Sequence, residues 1–124
     1  MRISALIASL LLLTACGSNG DSDSGSASSG YGSIEAVGKA AKCQPLEIRD
    51  DPMMFAIKTA GCTLPSGEDV AINWFANDTA RDEYVDLGSS NGALYVTGSK
   101  WAIECNSAES QAEAAKSTKG DVKG

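Results

Sequence analysis

Apolar residues fall into three regimes along the chain. Ile3 to Leu13 is a predominantly apolar run, Gly17 to Ser33 holds Tyr31 as its only large side chain, and from Ile34 apolar and polar positions interleave with helical and strand periods. In the third regime Ile34, Val37 and Ala41 share one helical face. Ser33 is placed to cap that helix, Glu35 suits its first turn, and Cys43 and Pro45 mark its end. Leu46-Glu47-Ile48 alternates as a strand does, Asp50-Asp51-Pro52 reads as a turn, and Met54 to Thr59 is a second strand. After a turn at Pro65-Ser66-Gly67, Val70, Ile72 and Trp74 alternate against Ala71, Asn73 and Phe75, the clearest strand pattern in the chain.

Asn77-Asp78 is expected to cap a helix from about Thr79 to Leu87, with Ala80, Tyr84 and Leu87 packed and Arg81, Asp82, Glu83 and Asp86 mostly in solvent. Leu94 to Thr97 and Lys100 to Cys105 flank Gly98-Ser99, which predicts a type II′ hairpin with Trp101, Ile103 and Cys105 on one face. Ser107 caps a last helix over Ala108 to about Lys119; with no large apolar residue, it is expected either to dock lightly through Ala112 and Ala115 or to fray. The order predicts an α+β domain over residues 34–119: a small antiparallel sheet of four to five strands with two or three short helices, followed by a disordered tail over 120–124. No internal repeat is visible.

The two earlier regimes speak of address. Met1-Arg2 gives a positive start, and an apolar run of about 11 residues is too short to span a bilayer core, which needs roughly 20, so it reads as the core of a signal peptide. Leu13-Thr14-Ala15-Cys16 follows at once and resembles the lipobox of bacterial lipoproteins. The resemblance implies cleavage between Ala15 and Cys16, with residues 1–15 removed, and a diacylglyceryl thioether on Cys16. One acyl chain holds only marginally, at about 0.8 kcal/mol per buried methylene, whereas two or three make attachment persistent. Residues 16–33, rich in Gly and Ser, are expected to be a flexible tether of roughly 20–25 Å. The implied location is the outer face of the plasma membrane, or an outer membrane where the host has one.

Composition then narrows the activity. The chain carries a formal charge of −6, and cleavage removes Arg2, leaving 9 basic against 16 acidic residues and about −7. So acidic a chain offers no footprint for nucleic acid, and membrane attachment must come from something apolar. The sequence contains no histidine, which removes Ser-His and Cys-His nucleophile pairs and the commonest zinc ligand. No catalytic residue, metal site or cofactor is assigned. The acidic cluster around Asp82 reads as a solvated helix face without a calcium loop. Ser99 and Lys100 are neighbours on a hairpin and would point to opposite faces. Asn77-Asp78-Thr79 matches a glycosylation sequon but reads as a helix cap, and Trp74 and Trp101 read as core.

With Cys16 lipidated, Cys43, Cys62 and Cys105 remain in an oxidising compartment. A Cys43–Cys62 bridge would close a loop of about 19 residues and contribute roughly 3 kcal/mol in the chain-entropy model. Cys105 is then a buried thiol; a Cys43–Cys105 bridge is the alternative. Further along, Cys62, Gly67, Trp74-Phe75, Arg81-Asp82, the run Asn91 to Gly98 and Trp101-Ala102-Ile103 resemble a loosely defined group of small secreted actinobacterial lipoproteins, some carried by actinobacteriophages. That group usually ends in an apolar helix closed by Leu-Gly-Gly, where this chain has Ser117-Thr118-Lys119-Gly120. The resemblance implies fold and location and adds no site. The expected function is a monomeric, non-catalytic, lipid-anchored module that binds another envelope protein. The alternatives are a phage-encoded immunity or superinfection-exclusion lipoprotein and a carrier of small ligands or cell-wall fragments.

Overall fold

A computed structural model describes residues 30–50 and 55–124. The expected signal peptide and cleavage site, Cys16, most of the expected tether and the Asp51-Pro52 part of the expected turn lie outside the described residues. The elements are α1 (Ile34–Ala40), β1 (Gln44–Arg49), β2 (Ala56–Thr63), β3 (Asp69–Phe75), α2 (Asp78–Ser90), β4 (Leu94–Gly98), β5 (Trp101–Cys105), α3 (Ala108–Thr118) and β6 (Asp121–Lys123). The fold is α+β: one antiparallel sheet of six strands, ordered β1-β2-β3-β5-β4-β6, with three helices. Each helix starts on a side chain the sequence offers for it. Ser33 accepts from the Ala36 amide at 3.1 Å, Asn77 from the Ala80 amide at 2.8 Å, and Ser107 exchanges hydrogen bonds with Ser110 as a capping box.

Helices α1 and α3 cover one face of the sheet. Ile34, Val37 and Ala41 from α1 and Ala114 from α3 pack there with Ala60, Val70, Ile72, Val96, Trp101 and Ile103. Burying such side chains contributes about 1.5–3 kcal/mol each, and it is this face that holds the domain together. The expected bridge is present: Cys43 and Cys62 are bonded, tying the end of α1 to β2, and Cys105 is a buried free thiol. Helix α2 covers part of the other face, where Val85 meets Phe75, Tyr95 and Ala102.

Five expectations change. The tail is not disordered: Asp121–Lys123 pairs antiparallel with Tyr95–Thr97, and the buried Gln111 amide donates to the carbonyls of both Tyr95 and Lys123 at 2.9 Å. The last helix docks firmly, but through Ser110, Gln111, Ala114 and Thr118, while Ala112 faces solvent and Ala115 is half-buried. The domain begins before residue 34, because Tyr31 lies 5.9 Å from the Trp101 ring and donates to the Thr118 carbonyl at 2.9 Å. Along α2 Ala80 and Tyr84 pack as expected, but the buried residue is Val85, and Leu87 is 46 % exposed. Arg81, expected in solvent, reaches across to donate to the Gly98 carbonyl.

The fifth concerns the β4–β5 turn. Gly98 pairs with Trp101, so the turn residues are Ser99 and Lys100, and the left-handed backbone falls on Lys100 with φ of 70°. Gly98 serves a different need. A Cβ there would lie 2.3 Å from Trp101 Cε2, so the indole requires a position with no side chain.

Candidate binding face

Strand alternation leaves a second chemistry on the sheet. In β5 Trp101, Ile103 and Cys105 point to the main core, so Ala102 and Glu104 point the other way; in β3 the same phase sends Ala71, Asn73 and Phe75 with them. On β2 a register irregularity between Ala56 and Lys58 brings Ala56 opposite Phe75 under α2, while Thr59 and Gly61 share the face of Asn73 and Ala71. Helix α2 crosses this face toward β4 and β5, and its Gly88 fits against Tyr95, whose hydroxyl would be 1.8 Å from a Cβ there.

Tyr84 stands at the border of the covered region. Its ring lies 5.5 Å from Phe75 and 5.8 Å from Tyr95, and its hydroxyl donates to Glu104 Oε1 at 3.1 Å. Burial and then the Glu104 carboxylate push the Tyr84 hydroxyl far above the usual phenol range, and the same two causes raise Tyr95. Both phenols keep their protons throughout the physiological range, and Tyr84 acts as a hydrogen-bond donor, not as a base.

Clefts open on each side of the Tyr84–Glu104 contact. One, of about 450 Å³, runs between the end of α2 and the start of β4 and is lined by Leu87, Asn91, Gly92 and Tyr95. The other, of about 250 Å³, lies where α2 leaves the sheet open: exposed Gly61 and half-buried Ala71 form its floor beside the buried Thr59 and Asn73, and Glu47 and Arg49 rise from β1. It continues past Asp69 to Asn106, whose side-chain amide donates to the Asp69 carbonyl at 2.7 Å. Among the described residues, the ion pairs are those of Arg81 with Asp78 and Asp82, so Glu47, Asp69 and Glu104 have no cationic partner, although Asp69 accepts from the Thr63 hydroxyl at 2.7 Å and Glu104 from Tyr84.

The site residues expected from sequence are placed as follows. Cys43 and Cys62 form the bridge, and Cys16 and Ala15 lie outside the described residues. Cys105 is buried and its thiol is pushed up to about 11, chiefly by burial, so it is a poor nucleophile. Ser99 and Lys100 sit in an exposed turn, Trp101 is core, and Trp74 is half-buried against that core. No group of three or more Cys, Asp or Glu among the described residues sits close enough to hold a metal ion. No helix among them is long and apolar enough to cross a membrane. Tyr84 and Glu104 were not singled out by sequence, although a glutamate inside the otherwise apolar run Trp101 to Cys105 signals a strand face that is not fully covered. Comparison with protein-family models, with curated proteins and with solved structures gave no match.

Proposed function

We propose that the chain is a lipid-anchored extracytoplasmic module, held by Cys16, whose uncovered sheet face binds another protein of the cell envelope without catalysing a reaction. The observation that supports this reading most is the shelf of Gly61 and Ala71 beside Tyr84, open along its length and bordered by carboxylates without a cationic partner. A wide, shallow, polar-rimmed surface suits a protein segment better than a small molecule, which favours a concave site that buries most of its area. The cleft of about 450 Å³ beside Leu87 and Tyr95 favours the second reading, a carrier of small ligands or cell-wall fragments. The phage immunity version is a special case of the first, separated from it by whether expression blocks entry of phage DNA.

The test is photo-crosslinking on intact cells from a benzophenone amino acid placed at Glu47 or at Ala71, followed by mass spectrometry. The reading expects one recurrent protein adduct from these positions and none from Ala112, on the exposed side of α3. Equal labelling from all three positions, or none from any, would overturn it.

A further inference from the structure

Strand register places several features at one end of the sheet. Trp101 pairs with both Trp74 and Gly98, so the end of β3, the β4–β5 turn and the start of α2 lie together, and the end of β1 and the start of β2 lie there too because Arg49 pairs with Thr59. Tyr31 packs on Trp101 at this same end and fixes where the chain enters from Cys16. Of the exposed large apolar side chains, Ile48, Phe55 and Ile57 lie at or beside these two strand ends, at 36 %, 40 % and 47 % exposure. Arg49 and Lys58 alternate with them along the two strands.

Charge divides along the same axis. At the entry end Arg49 and Lys58, whose strands pair there, and Arg81, which reaches the Gly98 carbonyl, stand with Asp50, Asp78 and Asp82. At the far end Glu68 and Asp69 close the β2–β3 turn, Glu109 opens α3, and Glu113 lies at its middle, where it accepts from the Ser66 amide and hydroxyl. This group of carboxylates sits away from the entry point.

From this we infer that the entry end lies on the bilayer surface, with Phe55, Ile57 and Ile48 in the headgroup boundary and the acidic shelf turned outward; the inference rests on the lipid anchor proposed above. The 14 residues between Cys16 and Tyr31 span at most about 50 Å when fully extended, so this end is the part held nearest the lipid. Apolar side chains interleaved with Arg and Lys are the composition an interface takes up, the apolar groups sinking in while the cationic heads stay with the phosphates. An anionic bilayer repels the far end and so selects this orientation.

The test uses the full acylated chain in vesicles of phosphatidylglycerol and phosphatidylethanolamine, with Cys16 acylation read first by intact mass. Hydrogen exchange of the Phe55–Lys58 peptide is compared with that of Cys16→Ser chain free in solution. Burial of the two half-exposed side chains corresponds to about a tenfold slowing, with no slowing over Gly61–Asp69. Phe55→Ser/Ile57→Ser, acylated and melting as the parent does, is expected to lose the slowing. An acylated chain whose 55–58 peptide exchanges as fast on vesicles as in solution overturns the inference alone. Slowing that grows with protein density in the bilayer assigns the surface to a second copy and also overturns it. A Cys16 without lipid overturns the anchor and the inference together.

Discussion

Gly98→Ala is the sharpest test of how the sheet is packed, because one methyl group separates two opposing effects. In an open strand the substitution stabilises by about 0.5–1 kcal/mol, since alanine loses less backbone freedom on folding. Here the added Cβ would meet Trp101 Cε2 at 2.3 Å and Cζ2 at 2.4 Å, more than an ångström inside the ordinary contact distance of about 3.5 Å. The indole has nowhere to retreat: it is fully buried, Gly120 presses its other edge with a built Cβ 2.8 Å from Cη2, and the Tyr31 ring stands 5.9 Å away. Overpacking of this kind costs about 1–3 kcal/mol, which outweighs the backbone gain and leaves a net loss of roughly 1–2 kcal/mol. For a domain of this size that lowers the melting temperature by about 5–15 °C. Thermal unfolding followed by tryptophan fluorescence and circular dichroism reads the shift, with Gly61→Ala as control because its Cβ would meet nothing within 4 Å. A Gly98→Ala protein that melts within about 2 °C of the parent would refute the packing described for Trp101.

Three further outcomes are expected. Cys43→Ser/Cys62→Ser opens a 19-residue link and should cost about 3 kcal/mol in denaturant titration, whereas Cys105→Ala, which breaks no bond, should leave the loop closure intact. Gln111→Leu removes the donor to two carbonyls and should cost about 1–3 kcal/mol, with hydrogen exchange rising first in β6, at Val122 and Lys123. The Cys105 thiol stands at about 11 against an ordinary value of 9.0, so the folded state holds this proton more tightly than the unfolded chain. Its contribution is complete below pH 9 and fades as pH rises toward 11, so the parent should lose stability over that window more steeply than Cys105→Ala, as urea unfolding at a series of pH values would show.

Much of the fold was readable because local signals agreed with tertiary ones. The caps at Ser33, Asn77 and Ser107 announce three helices, and Val70 to Phe75 alternates because one face packs under α1 while the other is only partly covered by α2. The Cys43–Cys62 bridge follows from a helix end and a strand arriving side by side. What escaped depends on partners remote in sequence. Asp121-Val122-Lys123 carries no strand pattern, and it becomes one because Gln111, ten residues earlier, offers its amide to β4 and β6 at once. Gly98 looks like a turn residue, yet its role is set by Trp101 across the hairpin. Helical spacing puts Leu87 on the side of Ala80 and Tyr84, but the close fit of Gly88 to Tyr95 fixes the rotation of α2 and leaves Leu87 at a cleft edge. The candidate face was half legible: Glu104 interrupts an apolar run, whereas the absence of a helix over Gly61 and Ala71 is a matter of topology that no local pattern records.

The proposed lipid on Cys16 is open to one measurement that makes no reference to the fold. The precursor is expressed in a bacterial host, extracted with a phase-separating detergent, and its N-terminal peptide is weighed by intact-mass and fragment analysis. The account predicts a chain that begins at Cys16, carries the mass of a diacylglyceryl group on that sulfur, and partitions into the detergent phase. A chain cut elsewhere, or one beginning at an unmodified Cys16 and left in the aqueous phase, would contradict it.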